Sequence, residues 1–386
     1  MDFKFADSMS RLGTETAFEV LAKAKALEAQ GKHIIHLELG EPDFDTPQNI
    51  IAAAIKSLQS GDTHYTPSNG ILPLRESIAK YMSKTRGVDF SADEVVVTPG
   101  AKPIMFFAIM ALVNPGDEVI YPNPGFPIYE SMINFVGGKP VPVALKEERG
   151  FAFDPEELRS LISPKTKMLI INTPQNPTGG ILTEEDIRKI TEIIKNTDLI
   201  ILSDEIYSRL IFEGKHFSIT QIPGFKERTI ILDGFSKYYA MTGWRAGYGV
   251  MHPEIASKIS RLITNSNSCT NSFVQKACIE ALDGPQDSVD KFREEFLARR
   301  EIIVEGLNSI NGFSCIVPAG AFYAFPNISK TGYSSRELTD HLLNNAGVAA
   351  LSGTAFGEFG EGYLRFSYAN SRENIKEAIK RIKEVL

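Results

Sequence analysis

The feature that most constrains the fold is a regular alternation of short apolar runs with helical patterns between residues 94 and 251. Most of these runs are continuously hydrophobic, which is typical of strands buried on both faces of a sheet. The alternation therefore predicts a mostly parallel α/β sheet. The predicted strands are Glu94–Thr98, Glu118–Tyr121, Pro140–Leu145, Met168–Asn172, Leu199–Ser203, Thr229–Leu232 and Ala246–Met251, and the helices between them are Lys102–Val113, Phe126–Phe135, Pro155–Ile162 and Glu184–Lys195.

Two of these helices have clear start signals. Asp154 precedes a proline at the first helical position, and Thr183 stands three residues before Asp186 in a variant of the capping box. Both patterns place a side-chain oxygen where it can accept the free N–H groups of a first turn. They predict that the helices begin at residues 155 and 184.

The flanks of the chain follow a different pattern. Residues 14–30 predict a helix, with Thr16 and Glu19 as a capping box, and a strand follows at Ile34–Leu39. We predict a large α/β domain over residues 46–285, and a smaller α+β domain formed by residues 1–45 together with residues 286–386. The C-terminal part is predicted to contain a long helix after residue 285, strands at Phe313–Val317, Phe322–Phe325 and Tyr363–Tyr368, and helices near Ser335–Asn345 and Arg372–Val385.

Composition excludes several classes of function. The 386 residues carry a net charge of −7 and no run rich in lysine or arginine, so nucleic-acid binding is not expected. The N-terminus lacks an apolar signal segment, and no run is long enough to span a bilayer. The 3 cysteines form no CxxC pair, and no HExxH pattern occurs, so neither a disulfide framework nor a metal site is expected. We expect a cytoplasmic globular protein.

The segment from Thr229 to Val250 carries the first candidate for chemistry. Its apolar start predicts a buried strand, after which come Ser236, Lys237 and Arg245 on glycine-punctuated backbone. A lysine at the end of a core strand is a candidate Schiff-base nucleophile, because burial lowers the pKa of an amine. The alternative is a solvated lysine in a surface loop.

Four further clusters follow strands or lie in loops rich in glycine and proline. The turn at residues 99–102 opens a helix, so its backbone N–H groups could bind an anion, although tight turns of this kind are common. Asn176 lies in the constrained loop Thr173–Gly180, where its amide suggests a positioned ligand contact; the alternative is a rigid structural turn. Asp204 and Tyr207 follow a strand, where the aspartate could be a helix cap or the partner of a cationic heterocycle. Arg365 stands among apolar residues and suits a carboxylate, or else a structural salt bridge.

Together these clusters describe one ligand. The ring of pyridoxal phosphate needs four protein groups, and the clusters contain all of them. A lysine can form an imine with its aldehyde, an aspartate can pair with its pyridinium nitrogen, and an amide and a phenol can hydrogen-bond its phenolate oxygen. The serine, Arg245 and the loop around residue 101 match its phosphate, and Arg365 matches the carboxylate of an amino acid. No single structural explanation accounts for all five clusters.

On these residues the sequence resembles the class I/II pyridoxal-phosphate-dependent aminotransferases of the aspartate aminotransferase fold type, in particular their bacterial and archaeal branch. The resemblance extends over nearly the whole chain. It implies fold type I, with a mostly parallel seven-stranded sheet in the large domain and a smaller α+β domain. The motifs that carry it are GEPDFDTP, YTPSNG, NPGDEVI, NTPQNPTGG, SDEIY, FSKYYAMTGWRAGY and RFS.

The resemblance also implies roles for single residues. Lys237 would bind the cofactor covalently and then move a proton between the substrate's α-carbon and the cofactor. Asp204 would keep the ring nitrogen protonated, and Tyr207 and Asn176 would hydrogen-bond the ring oxygen. The implied phosphate ligands are Ser236, Arg245 and the backbone at Ala101–Lys102, with Tyr65 reaching the phosphate of the other subunit in a homodimer, and the implied substrate ligands are Arg365, Asn176 and the Gly40 backbone.

Departures from the family pattern leave the substrate open. Phe126 stands where many aspartate-specific members have a tryptophan stacked on the ring. Lys102 could lie near a substrate's distal carboxylate, but the segment Leu12–Glu15 does not reproduce the hydroxyl pair associated with the aspartate enzymes. The implied donor is aspartate or a neutral or aromatic amino acid, and the implied acceptor is a 2-oxo acid such as 2-oxoglutarate, in a ping-pong reaction. A C–S lyase or a cyclising synthase on the same fold is the alternative.

Overall fold

The computed structural model describes residues 3–386. The helices and strands of this part of the chain alternate through its middle and become less regular towards both ends. The helices are α1 (Asp7–Ser10), α2 (Ala17–Glu28), α3 (Gln48–Gln59), α4 (Leu72–Arg86), α5 (Lys102–Leu112), α6 (Ile128–Phe135), α7 (Pro155–Leu161), α8 (Glu184–Ile194), α9 (Pro253–Ser266), α10 (Ser272–Asp283), α11 (Asp287–Asn308), α12 (Ser335–His341) and α13 (Arg372–Val385). The strands are β1 (Ile35–His36), β2 (Val95–Thr98), β3 (Glu118–Asn123), β4 (Lys139–Ala144), β5 (Thr166–Asn172), β6 (Ile200–Asp204), β7 (Thr229–Gly234), β8 (Gly247–Val250), β9 (Tyr323–Ala324), β10 (Val348–Ala349), β11 (Leu351–Ser352) and β12 (Leu364–Ser367).

A seven-stranded sheet forms the centre of the molecule, in the order β2-β8-β7-β6-β5-β3-β4. The pairs β7–β6, β6–β5, β5–β3 and β3–β4 are parallel, whereas β8 runs antiparallel to both β2 and β7. Each of the seven predicted strands lies in this sheet. The predicted fold class, an α/β protein with a mostly parallel seven-stranded sheet, is confirmed.

Both faces of the sheet are buried, as the continuous apolar runs predicted. Alternate residues of β5 point to opposite faces. Met168 and Ile170 belong to one hydrophobic cluster, and Leu169 and Ile171 belong to another. Layers of apolar side chains therefore cover the sheet on both sides, which explains why its strands do not alternate polar and apolar residues.

The two helix starts within the sheet region form as predicted. The Asp154 carboxylate accepts hydrogen bonds from the backbone N–H of Glu156 and of Glu157, at 3.0 and 3.4 Å. The side chains of Thr183 and Asp186 form a reciprocal capping box at the start of α8. The capping box predicted at Thr16 and Glu19 is wrong: Thr16 has helical backbone angles, and its side chain makes no capping hydrogen bond.

The N-terminal segment and the C-terminal residues meet in one small sheet, and a second small sheet is formed by C-terminal strands alone. Strand β1 pairs in parallel with β10, and β12 lies between β11 and β9 in an antiparallel sheet. The predicted strand Phe313–Val317 is wrong, because only an isolated bridge between Ser314 and Asn327 forms there. The predicted division at residues 45 and 285 stays a prediction.

The strand predicted at Ile34–Leu39 is shorter than expected, and the rest of that segment runs into the candidate site. Backbone pairing with β10 ends at Leu37, whose N–H donates to the carbonyl of Ala349 at 3.0 Å. The backbone carbonyl of Glu38 then accepts a hydrogen bond from Arg365, and that of Gly40 accepts one from Lys237. Backbone groups that a longer strand would use for pairing thus bind functional side chains instead.

Candidate active site

A cavity of about 570 Å³ lies at the carboxyl ends of β5, β6 and β7. Ligands of parallel α/β sheets bind at this edge, because the loops that follow the strands converge there. Residues of the N-terminal segment and of β12 close the cavity from the other side. Of the residues proposed from the sequence, those that line it are Gly40, Ala101, Lys102, Phe126, Asn176, Asp204, Tyr207, Ser236, Lys237, Arg245 and Arg365.

Lys237 follows the end of β7 and reaches the interior of the cavity. Its Nζ donates a hydrogen bond to the carbonyl oxygen of Gly40 at 2.6 Å. Burial, together with the nearby positive charge of Arg365, lowers the pKa of the Lys237 amine to about 8. A larger fraction of this amine is therefore neutral near physiological pH than for an exposed lysine, and only the neutral form is nucleophilic.

Asp204 is the last residue of β6 and is buried against the cavity. Its carboxylate accepts a hydrogen bond from the hydroxyl of Tyr129 at 2.6 Å and one from the backbone N–H of Ile206 at 3.2 Å. Burial raises the pKa of Asp204 to about 6, although the hydrogen bond from Tyr129 opposes this shift. The carboxylate makes no salt bridge with a residue in the described part of the chain, so a cationic ligand would be well placed beside it.

Arg365 projects from β12 towards the Thr173–Gly180 loop. One Nη atom donates to the side-chain oxygen of Asn176 at 3.0 Å, and the other donates to the carbonyl of Glu38. The guanidinium lies 4.6 Å from the ring centroid of Tyr323 and 4.9 Å from that of Phe356. Its buried Nε has no hydrogen-bond partner within residues 3–386. Within the same residues each Nη donates one hydrogen bond and carries a second N–H, so the group retains donors for an acceptor such as a carboxylate.

Ser236, Arg245 and the start of α5 form a positively charged recess. Arg245 has a positive φ of 53° and donates to the carbonyl of Thr242 at 2.9 Å. Gly100 has a φ of +84°, and a Cβ atom there would lie 2.3 Å from an Nη atom of Arg245. Glycine is therefore required for the arginine to approach the turn that opens α5. Backbone N–H groups at such a helix start, together with an arginine, suit an anion.

Lys102, Glu15 and Phe126 form one wall of the cavity, which we call the Lys102 wall. The Lys102 ammonium makes an ion pair with the Glu15 carboxylate and lies 5.4 Å from the centroid of the Phe126 ring. Glu15 was not singled out from the sequence as a site residue. Its position depends on how the N-terminal segment crosses the cavity, for which no local signal exists.

Two tyrosines that the sequence analysis did not identify complete the site. Tyr129 follows Phe126 by three residues in the chain, a helical spacing that could have suggested a contact with the same ligand. Tyr323, on β9, makes a hydrogen bond between its hydroxyl and that of Tyr207 at 2.6 Å. Its apolar neighbours in the sequence predict only a core position, which is also what its complete burial would suggest.

Tyr65 is the one proposed site residue that does not line the cavity. It is 89% exposed on the surface of the single chain. The structure therefore leaves its proposed contact with the phosphate of a second subunit as a prediction. Among residues 3–386 no group of three or more potential metal ligands occurs, and no helix there is long and apolar enough to cross a membrane.

Comparison with known proteins assigns the chain to a family. The sequence model of the family "Aminotransferase class I and II" matches residues 32–382. An aspartate aminotransferase of Bacillus sp. (strain YM-2) is 40% identical over 384 residues, covering 98% of this chain and 97% of the relative. An aromatic-amino-acid aminotransferase of Thermococcus litoralis is 40% identical over 363 residues, covering 93% of each chain.

A solved structure gives the same assignment. The structure of the aspartate aminotransferase from Thermus thermophilus with maleate superimposes with a TM-score of 0.96 at 36% sequence identity, and the match covers 100% of both chains. With sequence, fold and cavity in agreement, the chain belongs to the class I and II aminotransferase family and is an aminotransferase.

Proposed function

We propose that the protein is a pyridoxal 5'-phosphate-dependent aminotransferase, which transfers the amino group of an L-amino acid to a 2-oxo acid such as 2-oxoglutarate by a ping-pong mechanism. The observation that carries this proposal is the presence of Lys237, Asp204 and Arg365 in one cavity. The amine can react with the cofactor aldehyde. The carboxylate, which makes no salt bridge within residues 3–386, can pair with the ring nitrogen, and the arginine has N–H groups left within the same residues to bind the substrate carboxylate.

The residues present fit this cofactor. Ser236, Arg245 and the backbone of Ala101 and Lys102 would bind its phosphate, in the recess that Gly100 keeps free of a side chain. When bound, pyridoxal phosphate supplies a ring that accepts the electrons left when a bond to the substrate α-carbon breaks. Asp204 would hold the proton on the ring nitrogen, and Phe126 would stack on the ring.

The chain's own residues would carry out the proton transfers and the orientation of the substrate. Lys237 Nζ, with its lowered pKa, is the base for the proton on the substrate α-carbon. Tyr207 and Asn176 would donate hydrogen bonds to the ring oxygen. Arg365 would bind the α-carboxylate, assisted by Asn176 and the Gly40 backbone, and so fix which α-substituent faces Lys237.

The Lys102 wall of the cavity influences which substrate side chains can bind. Lys102 could bind a distal carboxylate, but its charge is paired with Glu15 in the structure. A substrate with a neutral or aromatic side chain can pack against Phe126 without disturbing this pair. The distal carboxylate of aspartate or 2-oxoglutarate would have to replace Glu15 as the ion-pair partner of Lys102. We infer that donors of both kinds are used. Dicarboxylic substrates bind less tightly, because they must first break the ion pair between Lys102 and Glu15.

A homodimer with active sites shared across the interface is part of this proposal. The exposure of Tyr65 supports it, because a tyrosine 89% exposed on one chain is free to reach another. We also retain the reducing cytoplasm as the proposed location, which agrees with the three free cysteines of the chain.

The proposal is tested with purified protein, a panel of amino acids and 2-oxoglutarate, read as relative kcat/KM. We expect a visible cofactor absorbance, stoichiometric conversion to the amino form of the cofactor when donor is added alone, and loss of the covalently bound absorbance in Lys237→Ala. Exposed Lys215→Ala is the matched control and should behave as wild type. Undiminished turnover by Lys237→Ala, or release of ammonia and pyruvate from a sulfur amino acid in place of transamination, would refute it.

A further inference from the structure

Tyr323 contacts three parts of the candidate site at once. Its hydroxyl hydrogen-bonds that of Tyr207 at 2.6 Å, and its ring lies 4.6 Å from the guanidinium of Arg365. It also packs against Gly40, since a Cβ atom on that glycine would lie 2.0 Å from the Tyr323 hydroxyl. The residue comes from β9, which is distant in sequence from the strand ends that supply Lys237 and Asp204.

The hydrogen bond between the two tyrosines has a preferred direction once a ligand accepts from Tyr207. Each hydroxyl carries a single proton. Within residues 3–386 the Tyr323 hydroxyl has no hydrogen-bond partner besides Tyr207, and both groups are buried. If Tyr207 donates its proton to a ligand oxygen, it can only accept from Tyr323. The donor in the pair must then be Tyr323.

The surroundings of the pair favour the same direction. The positive charge of Arg365 over the Tyr323 ring stabilises negative charge on that phenol and so makes it the better donor. Burial raises the pKa of both tyrosines, and Arg365 opposes the increase for Tyr323 more directly than any other residue. Neither phenol therefore ionises at neutral pH, and both remain available as neutral donors.

We propose that Tyr323 is a positioning residue, which donates its hydroxyl proton to Tyr207 and thereby directs the proton of Tyr207 towards the oxygen of the bound cofactor ring. This inference rests on the proposed function and extends it to a residue of the small antiparallel sheet. Arg365, the proposed ligand of the substrate carboxylate, lies over the Tyr323 ring. Tyr323 therefore connects the substrate-carboxylate site to the hydrogen bond that Tyr207 donates to the cofactor.

The test is the pH titration of the visible absorbance of the cofactor-loaded protein. A hydrogen bond donated to the ring oxygen disfavours protonation of the Lys237 nitrogen beside it. Tyr323→Phe weakens this hydrogen bond and should raise the titration midpoint by about half a unit to one unit, the size expected for one neutral hydrogen bond. The Phe variant retains the ring under Arg365, so KM for the amino donor should change less than kcat.

The matched control is Tyr368→Phe. Tyr368 is also a fully buried tyrosine close to the small sheet, and its hydroxyl donates to the carbonyl of Ala321 at 3.1 Å, outside the cavity. Its loss should leave the midpoint unchanged. The double variant Tyr207→Phe/Tyr323→Phe should shift the midpoint no further than Tyr207→Phe alone, because Tyr323 acts through Tyr207.

An unshifted midpoint in Tyr323→Phe, or additive shifts in the double variant, would overturn the role of Tyr323. A melting temperature of Tyr323→Phe far below that of Tyr368→Phe would also overturn it, because the Tyr323 hydroxyl would then be structural. A failure of the proposed function looks different. In that case the wild-type protein itself would show no cofactor absorbance that depends on Lys237.

Discussion

At the residue scale, the site combines groups whose chemistry is visible in the sequence with groups that only packing reveals. Lys237, Asp204 and Arg365 were proposed from residue type and position, and all three line the cavity. Glu15 was not, although its carboxylate neutralises Lys102. The sequence contains no signal for this pair, because it joins the N-terminal segment to the start of α5.

Glu15→Gln should increase the preference for dicarboxylic substrates, because Lys102 is then free to bind a distal carboxylate. We expect the ratio of kcat/KM for aspartate to that for phenylalanine to rise about twofold to fivefold, corresponding to ~0.4–1 kcal/mol for a partly exposed ion pair. The measurement is steady-state kinetics with 2-oxoglutarate as the common acceptor.

The control for this prediction is the Lys102→Met background. There Glu15→Gln should bring no gain for aspartate, since the cation is absent. An unchanged ratio in the single variant would show that Glu15 does not limit access of a distal carboxylate to Lys102.

Arg365→Lys should weaken the binding of every amino-acid substrate, because a lysine cannot form the two-pronged contact with an α-carboxylate. Loss of one charge-assisted hydrogen bond, about 1.5–3 kcal/mol, predicts a KM raised roughly tenfold to a hundredfold. Exposed Arg336→Lys serves as the control and should have wild-type KM. Equal KM values in the two variants would make Arg365 a structural residue.

At the scale of single elements, local sequence signals predicted the structure correctly where they concern the backbone's own hydrogen bonds, as in the sheet strands and the capped helix starts. All seven strands of the central sheet and the starts of α7 and α8 followed from apolar runs and capping residues. The cap at Thr16 and the strand at Phe313–Val317 were wrong. At Thr16 the residue types suit a cap but the backbone has helical angles, and the 313–317 segment bonds to Asn308 and Asn327 instead of pairing along a strand.

Asp154→Ala should destabilise the protein by about 1 kcal/mol, the usual effect of removing a helix cap. The Asp154 carboxylate accepts two backbone N–H groups at the start of α7, and alanine leaves them without that partner. Urea unfolding followed by circular dichroism measures the change in midpoint. Thr16→Ala, at a position without a capping hydrogen bond, should shift the midpoint much less; an equal shift would mean that the cap at Asp154 contributes nothing.

At the scale of the whole molecule, the cavity is assembled from three regions that are far apart in sequence. The strand ends of the central sheet supply the groups proposed to hold the cofactor. The N-terminal segment supplies Glu15 and the Gly40 carbonyl, and the small antiparallel sheet supplies Arg365 and Tyr323. A second chain would add Tyr65 as a fourth region.

Shared active sites predict complementation between two defective variants. Tyr65→Ala should impair the site of the neighbouring subunit, and Lys237→Ala should inactivate its own. Denaturing and refolding an equal mixture should restore about a quarter of wild-type activity, because half of randomly formed dimers are mixed and each of these has one intact site. Activity of the mixture no higher than the average of the two variants would exclude a site shared through Tyr65.

The sequence by itself determined the central sheet and the residues at the ends of its strands. Burial on both faces leaves continuous apolar runs, and in such sheets the functional polar residues come directly after these runs, at the carboxyl ends of the strands. Only the tertiary structure decided three contacts of the site. These are the hydrogen bond between Tyr323 and Tyr207, the ion pair between Glu15 and Lys102, and the hydrogen bond from Tyr129 to Asp204. These contacts join segments distant in the chain. The lowered pKa of Lys237 and the raised pKa of Asp204 belong with them, since burial, their largest cause, exists only in the assembled fold.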